Sequence, residues 1–346
     1  MNLNGNLDVY LKYASENSAT SFPFQGRINY WVRYTSIRDH LVTNVFSHVT
    51  AGAIIVDGGY LTDHGDDHVR TVVDRASRLV EAESCVLSPY EIYMLLVAIH
   101  LHDVGNIHGR KGHEMRALTM MRDTLGTIAG IDDVEKRHIV NIAQAHGGHV
   151  GDDKDKIGRL ERDARVLQER IRPQLLAAIL RFADELADDR QRAARFLLQT
   201  GTLPKGNEVF HKFAEALHTV EIDHAGRQVL LHFDFDERTA VQQFGKGAEE
   251  VYLLDEIYDR TIKTHLERLY CMRFMHQAVP LDAITVKIDV TSSRDYGVLK
   301  PIGYRLEEHG YPSTPAGGIH DLCRDAAIAS LNGEALRQEF MVQANP

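Results

Sequence analysis

The 346-residue chain carries 49 acidic against 39 basic side chains, a formal net charge of −10, with 44% hydrophobic and 25% charged residues. That is the balance of an ordinary globular protein, long enough for two domains. Its acidity argues against a surface built for extended nucleic acid, though a nucleotide in a local basic pocket stays compatible with it. Cys85, Cys271 and Cys323 stand apart with no CxxC, which speaks against a cysteine–zinc site and a disulfide framework. The start, MNLNGNLDVYLK, has no signal pattern, and the longest apolar stretch, around Tyr93–Ile99, is far short of a membrane span. A cytoplasmic protein with no membrane association is the expectation.

In chain order, residues 1–60 read as an N-terminal helical extension, with one or two aromatic-rich helices over Ile28–Val49. A helix from about Asp66 to Glu83 comes next, with Val69, Val72, Val73, Ala76, Leu79 and Val80 as its apolar stripe and Thr62 or Asp63 as cap. Pro89 opens an apolar helix that runs to about Leu101 and into His102-Asp103. At about 100° per residue, His102 and Asp103 share the arc of Leu95, Leu96 and Ile99, and His100 is turned away. A carboxylate on a buried face is costly unless it is paired or bound to a metal. A salt-bridged Asp beside a neutral core His is the competing reading.

Further on, Met115–Leu125 reads as helical. Asp132-Asp133 start a helix through Gln144, with Ile139, Ile142 and Ala143 inward and His146 at their centre. Asp152–Arg170 is highly charged, as expected of a solvated helix or a lid. Pro173 starts a helix whose core side is Leu176, Ile179, Leu180, Ala183 and Ala187, and which carries Asp184 on its shoulder. The character changes near Thr202–Gly206, and the chain beyond it alternates with period two. His218–Ile222 is expected to pair with residues 228–235 across the Asp223–Gly226 turn. A helix over about Ala248–His276 then leads to a third strand, Ile284–Val290. The fold class is therefore mainly α, with a C-terminal α+β appendage of order β-β-α-β. The expected domains are 1–60, 61–202, 203–310 and a tail over 311–346 with a short helix near Ile319–Leu331.

Histidine is unevenly spread: nine of the nineteen fall between His64 and His149. Adjacent His102 and Asp103 offer a nitrogen and an oxygen to one point, the donors a divalent cation takes. The segments DHGDDHVRTVV, AIHLHDVGN, GRKGHE, AQAHGGH and RFADELADD, spread over residues 63–189, resemble the HD superfamily of metal-dependent phosphohydrolases. The long flanks, and GRKGHE close behind the His-Asp pair, look like its nucleotide-hydrolase branch. The resemblance implies an HD-type helical bundle with one cation on His68, His102, Asp103 and Asp184. That mixed nitrogen and oxygen set suits Mn, Fe, Co, Ni, Zn or Mg, and a second metal stays open.

Within that frame Asp103, His113 and His146 are the expected catalytic residues, and Arg110, Lys111 and His149 the expected substrate-binding ones. Gly109 and Gly112 let the GRKG turn approach a phosphate closely, although the same turn reads equally as a solvated basic loop. His146 is either a core histidine or a cleft residue, acting as general acid or as ligand to a second metal. His64 is expected to cap or to stand behind the ligands, and His108 and His138 to lie at the surface. His211, His218, His224 and His232 read as structural. There is no P-loop, GxSxG elbow or HExxH. The expected partner is a nucleotide or another phosphorylated small molecule, with a homo-oligomer left open. Two rivals remain: a nucleotide-binding sensor or scaffold, and a di-iron oxygenase of HD type.

Overall fold

The computed structural model of the protein describes residues 6–18, 22–23, 27–49, 65–108, 113–130, 132–148, 154–188, 203–308, 318–323, 325, 328 and 330–343. These fall into two compact units. The first takes the described residues up to Ala187 together with Tyr270–Pro280; the second takes Asp188–Leu269 and the chain from Leu281 onward. The protein is mainly helical, with a mixed sheet toward its C-terminus. Among the described residues no helix is long and apolar enough to cross a membrane.

The first unit is built from α1 (Leu7–Asn17), α2 (Tyr30–Asn44), α3 (Asp66–Leu79), α4 (Pro89–Leu101), α5 (Asp133–Gln144) and α6 (Pro173–Glu185). α4 is its axis. Ser88 and Glu91 form a reciprocal capping box around Pro89, and every residue from Tyr90 to Leu101 is buried. A helix apolar on all sides must be surrounded. Here α1 and α2 cover one flank, α5 and α6 the other, and α3 packs on α6. His100, turned away from the Leu95–Ile99 arc, is therefore buried as well, edge-on to Tyr34 with ring centroids 5.5 Å apart. α1, which periodicity did not single out, buries Leu7, Leu11 and Ala14, and the Leu7 backbone N–H donates to Ser77 Oγ at 3.1 Å.

The charged run after α5 is not a helix where it is described. A 3-10 turn, Ile157–Arg159, leads to a hairpin of β1 (Ala164–Val166) and β2 (Glu169–Ile171). Ile157, Val166 and Ile171 are fully buried among the charges, and three apolar anchors at loop and strand spacing outweigh the polarity of their neighbours. His138 is likewise not at the surface: it is 7% exposed, on the inner side of α5. Residues 113–125 are helical, in a mixture of 3-10, α and π turns.

The second unit holds α7 (Glu208–Ala216) and a four-stranded sheet of β3 (Leu217–Asp223), β4 (Gln228–Asp236), β7 (Ala283–Thr291) and β8 (Val298–Glu307), in the order β3-β4-β7-β8. β3 and β4 form the expected hairpin; β4 and β7 run parallel and are joined through α8 (Leu253–Met275), as parallel strands require a crossover. α8 starts later than its apolar pattern suggested. Residues 249–252 are instead β6 (Glu249–Tyr252), folded back on β5 (Gln243–Lys246) around Gly247, whose φ is +64°. β8 was hidden by Pro301, which a strand at the sheet edge tolerates. Of the expected helix over Ile319–Leu331, the described part is Ile319–Leu322, which stops where the Cys323 backbone turns extended; a further helix, α9 (Gly333–Gln343), starts behind Asn332, which accepts the Ala335 N–H at 2.8 Å.

Candidate metal centre

Five stretches of the first unit bring the titratable side chains together. α3 carries His68, 1% exposed. α4 ends at His102, still with helical φ and ψ, so that His102 and Asp103 follow its buried surface into the 3-10 turn Val104–His108. α6 presents Asp184 in its last turn, and α5 hands over to His146 just past its end. His113 comes from the chain beyond the basic turn, held against Gly105. A Cβ on Gly105 would stand 1.9 Å from the His113 carbonyl oxygen, so only glycine lets these two segments touch.

The imidazoles are oriented before any ligand arrives. His102 Nδ1 lies 2.6 Å from the Ile99 carbonyl oxygen and His146 Nδ1 2.6 Å from that of Ala143. A carbonyl can only accept, so both Nδ1 atoms carry hydrogen and both Nε2 atoms turn to the centre. There, Asp103 Oδ2 is 3.5 Å from both His68 Nε2 and His102 Nε2. Asp184 Oδ1 meets the same two nitrogens at 3.2 and 3.5 Å. The other oxygen of Asp103, Oδ1, lies 3.2 Å from His113 Nε2 and 3.6 Å from His146 Nε2, and those two nitrogens are 3.2 Å apart. Two triads thus share one carboxylate: His68, His102 and Asp103 on one side, Asp103, His113 and His146 on the other.

The electrostatics are those of two carboxylates among four imidazoles. Burial disfavours the charged form of His102, but Asp103 and Asp184 outweigh it and lift its pKa to about 9. Burial, and then the neighbouring His102 cation, push His146 down to about 4. Asp184 is held well below the usual carboxylate range: burial opposes this, and hydrogen bonds from His102 and His68 prevail. The fit to a cation can be judged from the donors themselves. His102 Nε2 is fully buried, and the two carboxylate oxygens it faces stand 3.5 Å away, long for a hydrogen bond. Ligands at about 2.0–2.2 Å from one first-row dication lie roughly 3.0–3.5 Å from one another. The nitrogen–oxygen spacings here match that edge, so these residues could hold one or two metal ions.

All four side chains that the resemblance assigned to a metal, His68, His102, Asp103 and Asp184, are brought together. His113, expected over a substrate phosphate, has its Nε2 turned to Asp103, and His146 stands beside it. Arg110, Lys111 and His149, with His64, Gly109, Gly112 and the cap at Thr62 or Asp63, lie outside the described residues, as does the His108 side chain. Two buried cations had no signal in the sequence. Lys156, 8% exposed, donates to the Gln144 carbonyl at 3.4 Å. Arg181, 5% exposed, donates to the Lys154 carbonyl at 3.3 Å and lies over the Tyr270 ring. The first was lost in a charged run, the second in an apolar helix.

A family model described as HD-CE matches residues 58–263, which include all six side chains of the centre. No curated protein matches the chain.

Proposed function

The chain belongs to the HD-CE family, and on that footing we propose that it is a metal-dependent phosphohydrolase acting on a phosphoester or phosphoanhydride of a nucleotide or related substrate. One observation carries this reading: Asp103 turns one oxygen to each of two histidine pairs, with Asp184 opposite. His68, His102, Asp103 and Asp184 would hold one cation, and Asp103, His113 and His146 a second. Such cations, when bound, acidify a water and polarise a phosphoryl oxygen.

The remaining roles belong to the protein. Asp103, fixed at the end of α4, sets the position of everything on both sides of it. His68 and His102 are sealed from solvent, which keeps the donor set dry and its electrostatics strong. His113 is the more open of the second pair, its side chain 15% exposed. Where His146 is not taken up by a second cation, it is the group placed to pass a proton to the leaving oxygen. Arg110, Lys111 and His149 are assigned to the substrate phosphates, whose non-bridging oxygens gather charge in the transition state.

The test is a nucleotide panel with Mg, Mn, Fe, Co, Ni and Zn, read by product chromatography and phosphate release, beside Asp103→Ala. Turnover that needs an added cation and disappears in the variant supports the reading; equal turnover in the variant ends it. A di-iron oxygenase is the second reading, favoured by the same four imidazoles and two carboxylates around a shared aspartate. A visible absorption band with oxygen uptake and no phosphate release would assign the centre to that chemistry.

A further inference from the structure

A cleft of about 940 Å³ opens elsewhere in the first unit. Its walls are residues 86–91 at the start of α4, 162–175 from the β1–β2 hairpin to the start of α6, and 272–278. None of the six centre residues lines it. Glu91 stands in the first turn of α4 and His102 just past its end, about 16 Å apart at 1.5 Å per residue. The volume is that of a pocket for a whole small molecule.

Its charge runs against that of the protein. In a chain of net −10, the cleft gathers Arg162, Arg170, Arg172 and Arg273 against only Glu91 and Asp163. Arg172 is spent on Glu91, with Nε and Nη2 at 2.8 and 2.7 Å from its two oxygens. Arg170 holds the exposed Asp163, its Nε 2.8 Å away. Arg162 is exposed and makes no ion pair among the described residues. Arg273 has its guanidinium carbon 5.2 Å from the Phe274 ring centroid and donates to Asp155 at 3.3 Å. Two helix N-termini also stand here: α4 is capped by Ser88, whereas α6 begins with Pro173, the Arg172 N–H before it donating to Glu91 at 3.1 Å, and Gln174 and Leu175 of its first turn line the cleft. Leu87, Pro89, Leu175 and Met272 complete an apolar wall next to Phe274.

We propose that this cleft binds a small polyphosphorylated anion, a nucleotide or an inorganic polyphosphate, independently of the metal centre. Guanidinium forks match phosphate oxygens bidentately, and a phosphate adds to them the positive end of the α6 dipole. The Phe274 ring, which lines the cleft, offers a face to a base. The site stands whether or not the chain hydrolyses phosphoesters.

Calorimetric titration of ATP and of sodium tripolyphosphate onto the full chain in EDTA tests it. Both anions should bind wild type and Asp103→Ala with the same Kd. The double variant Arg162→Ala/Arg170→Ala should weaken both at least tenfold. Arg165→Ala, on the same hairpin but outside the cleft, should leave both unchanged. Phe274→Ala separates the two sources: a nucleotide site loses ATP affinity several-fold and keeps tripolyphosphate, while a polyphosphate site binds both anions alike in wild type and variant. The exposed arginines can be removed without opening the core, which near-ultraviolet circular dichroism verifies. Undiminished binding to the double variant, loss of binding in Asp103→Ala, or no binding at millimolar anion would each overturn the proposal.

Discussion

Two buried carboxylates of the first unit, Glu135 and Asp103, have been treated in opposite ways. Glu135 is fully buried, and its oxygens are closed off: Arg33 Nη1 donates to Oε1 at 2.9 Å, and the hydroxyls of Tyr90 and Tyr30 donate to Oε2 at 2.7 and 3.2 Å. One permanent cation and two phenols answer one negative charge. Burial still raises the Glu135 pKa, against the Tyr90 hydrogen bond and the Arg33 charge. Asp103 is 6% exposed and shares its surroundings with a second carboxylate. Among the described residues, four imidazoles, whose charge depends on protons, face its oxygens. A cluster that balances itself holds the fold together; one whose balance is left to protons is completed by something from outside.

The contrast can be broken by experiment, the strongest case first. Asp103→Ala removes the donor common to both triads, so metal content measured by elemental analysis should fall by more than about a hundredfold in affinity, beyond the usual effect of losing an outer-shell partner. Retained metal would make Asp103 an ordinary buried acid. Glu135→Ala should do the reverse. It leaves Arg33 uncompensated and two buried phenols without an acceptor, and should cost about 3–5 kcal/mol in denaturant unfolding. The folded fraction should nevertheless bind metal in the wild-type ratio. His146→Ala sharpens the comparison within the centre: it should lose one equivalent of metal and keep the other, since His68, His102 and Asp184 are untouched.

A third carboxylate, 6% exposed but paired to more open side chains, gives the smallest effect. Asp289, on β7, accepts from Lys287 Nζ at 2.7 Å and from His232 Nε2 at 2.8 Å, and its pKa is lowered: burial opposes this, and the Lys287 and His232 hydrogen bonds prevail. A depressed folded-state value adds stability above the unfolded carboxylate pKa, about 3.9. That stability is lost as pH falls through the folded value. Asp289→Asn should therefore cost up to about 1 kcal/mol near neutral pH, in keeping with a solvent-screened pair, and nothing at pH 2. A pH-independent difference in the unfolding midpoint would point to packing instead.

How much of this could be read in the chain depends on how local its cause is. The burial of His102 and Asp103 followed from their angular positions after Leu95, Leu96 and Ile99, a property of one helix. His68 and Asp184 sit at the edges of their stripes, where periodicity alone could not separate ligand from surface, and it took the ordered set of segments to single them out. The hairpin at 164–171 and the burial of His138 were misread because a charged composition said nothing about three apolar anchors or a crowded helix flank. β8 was missed because Pro301 is forbidding in a central strand and harmless at an edge, and the sequence does not say which strand is the edge.

What the sequence determined by itself is the course of α3, α4, α5 and α6 and the identity of the groups on offer: Pro89 and Asp132 at helix starts, apolar stripes, and histidines gathered in one quarter of the chain. These depend on contacts within a few residues, which the order of amino acids encodes directly. Tertiary structure alone decided that the two oxygens of Asp103 face different histidine pairs, because that rests on the touch of Gly105 against the His113 backbone and on where α5 lets go of His146. It also decided that arginines of a hairpin meet the starts of two helices in one cleft. Separations of about 3 Å between residues tens of positions apart are set by packing, and a single step of about 100° around any of these helices would undo them.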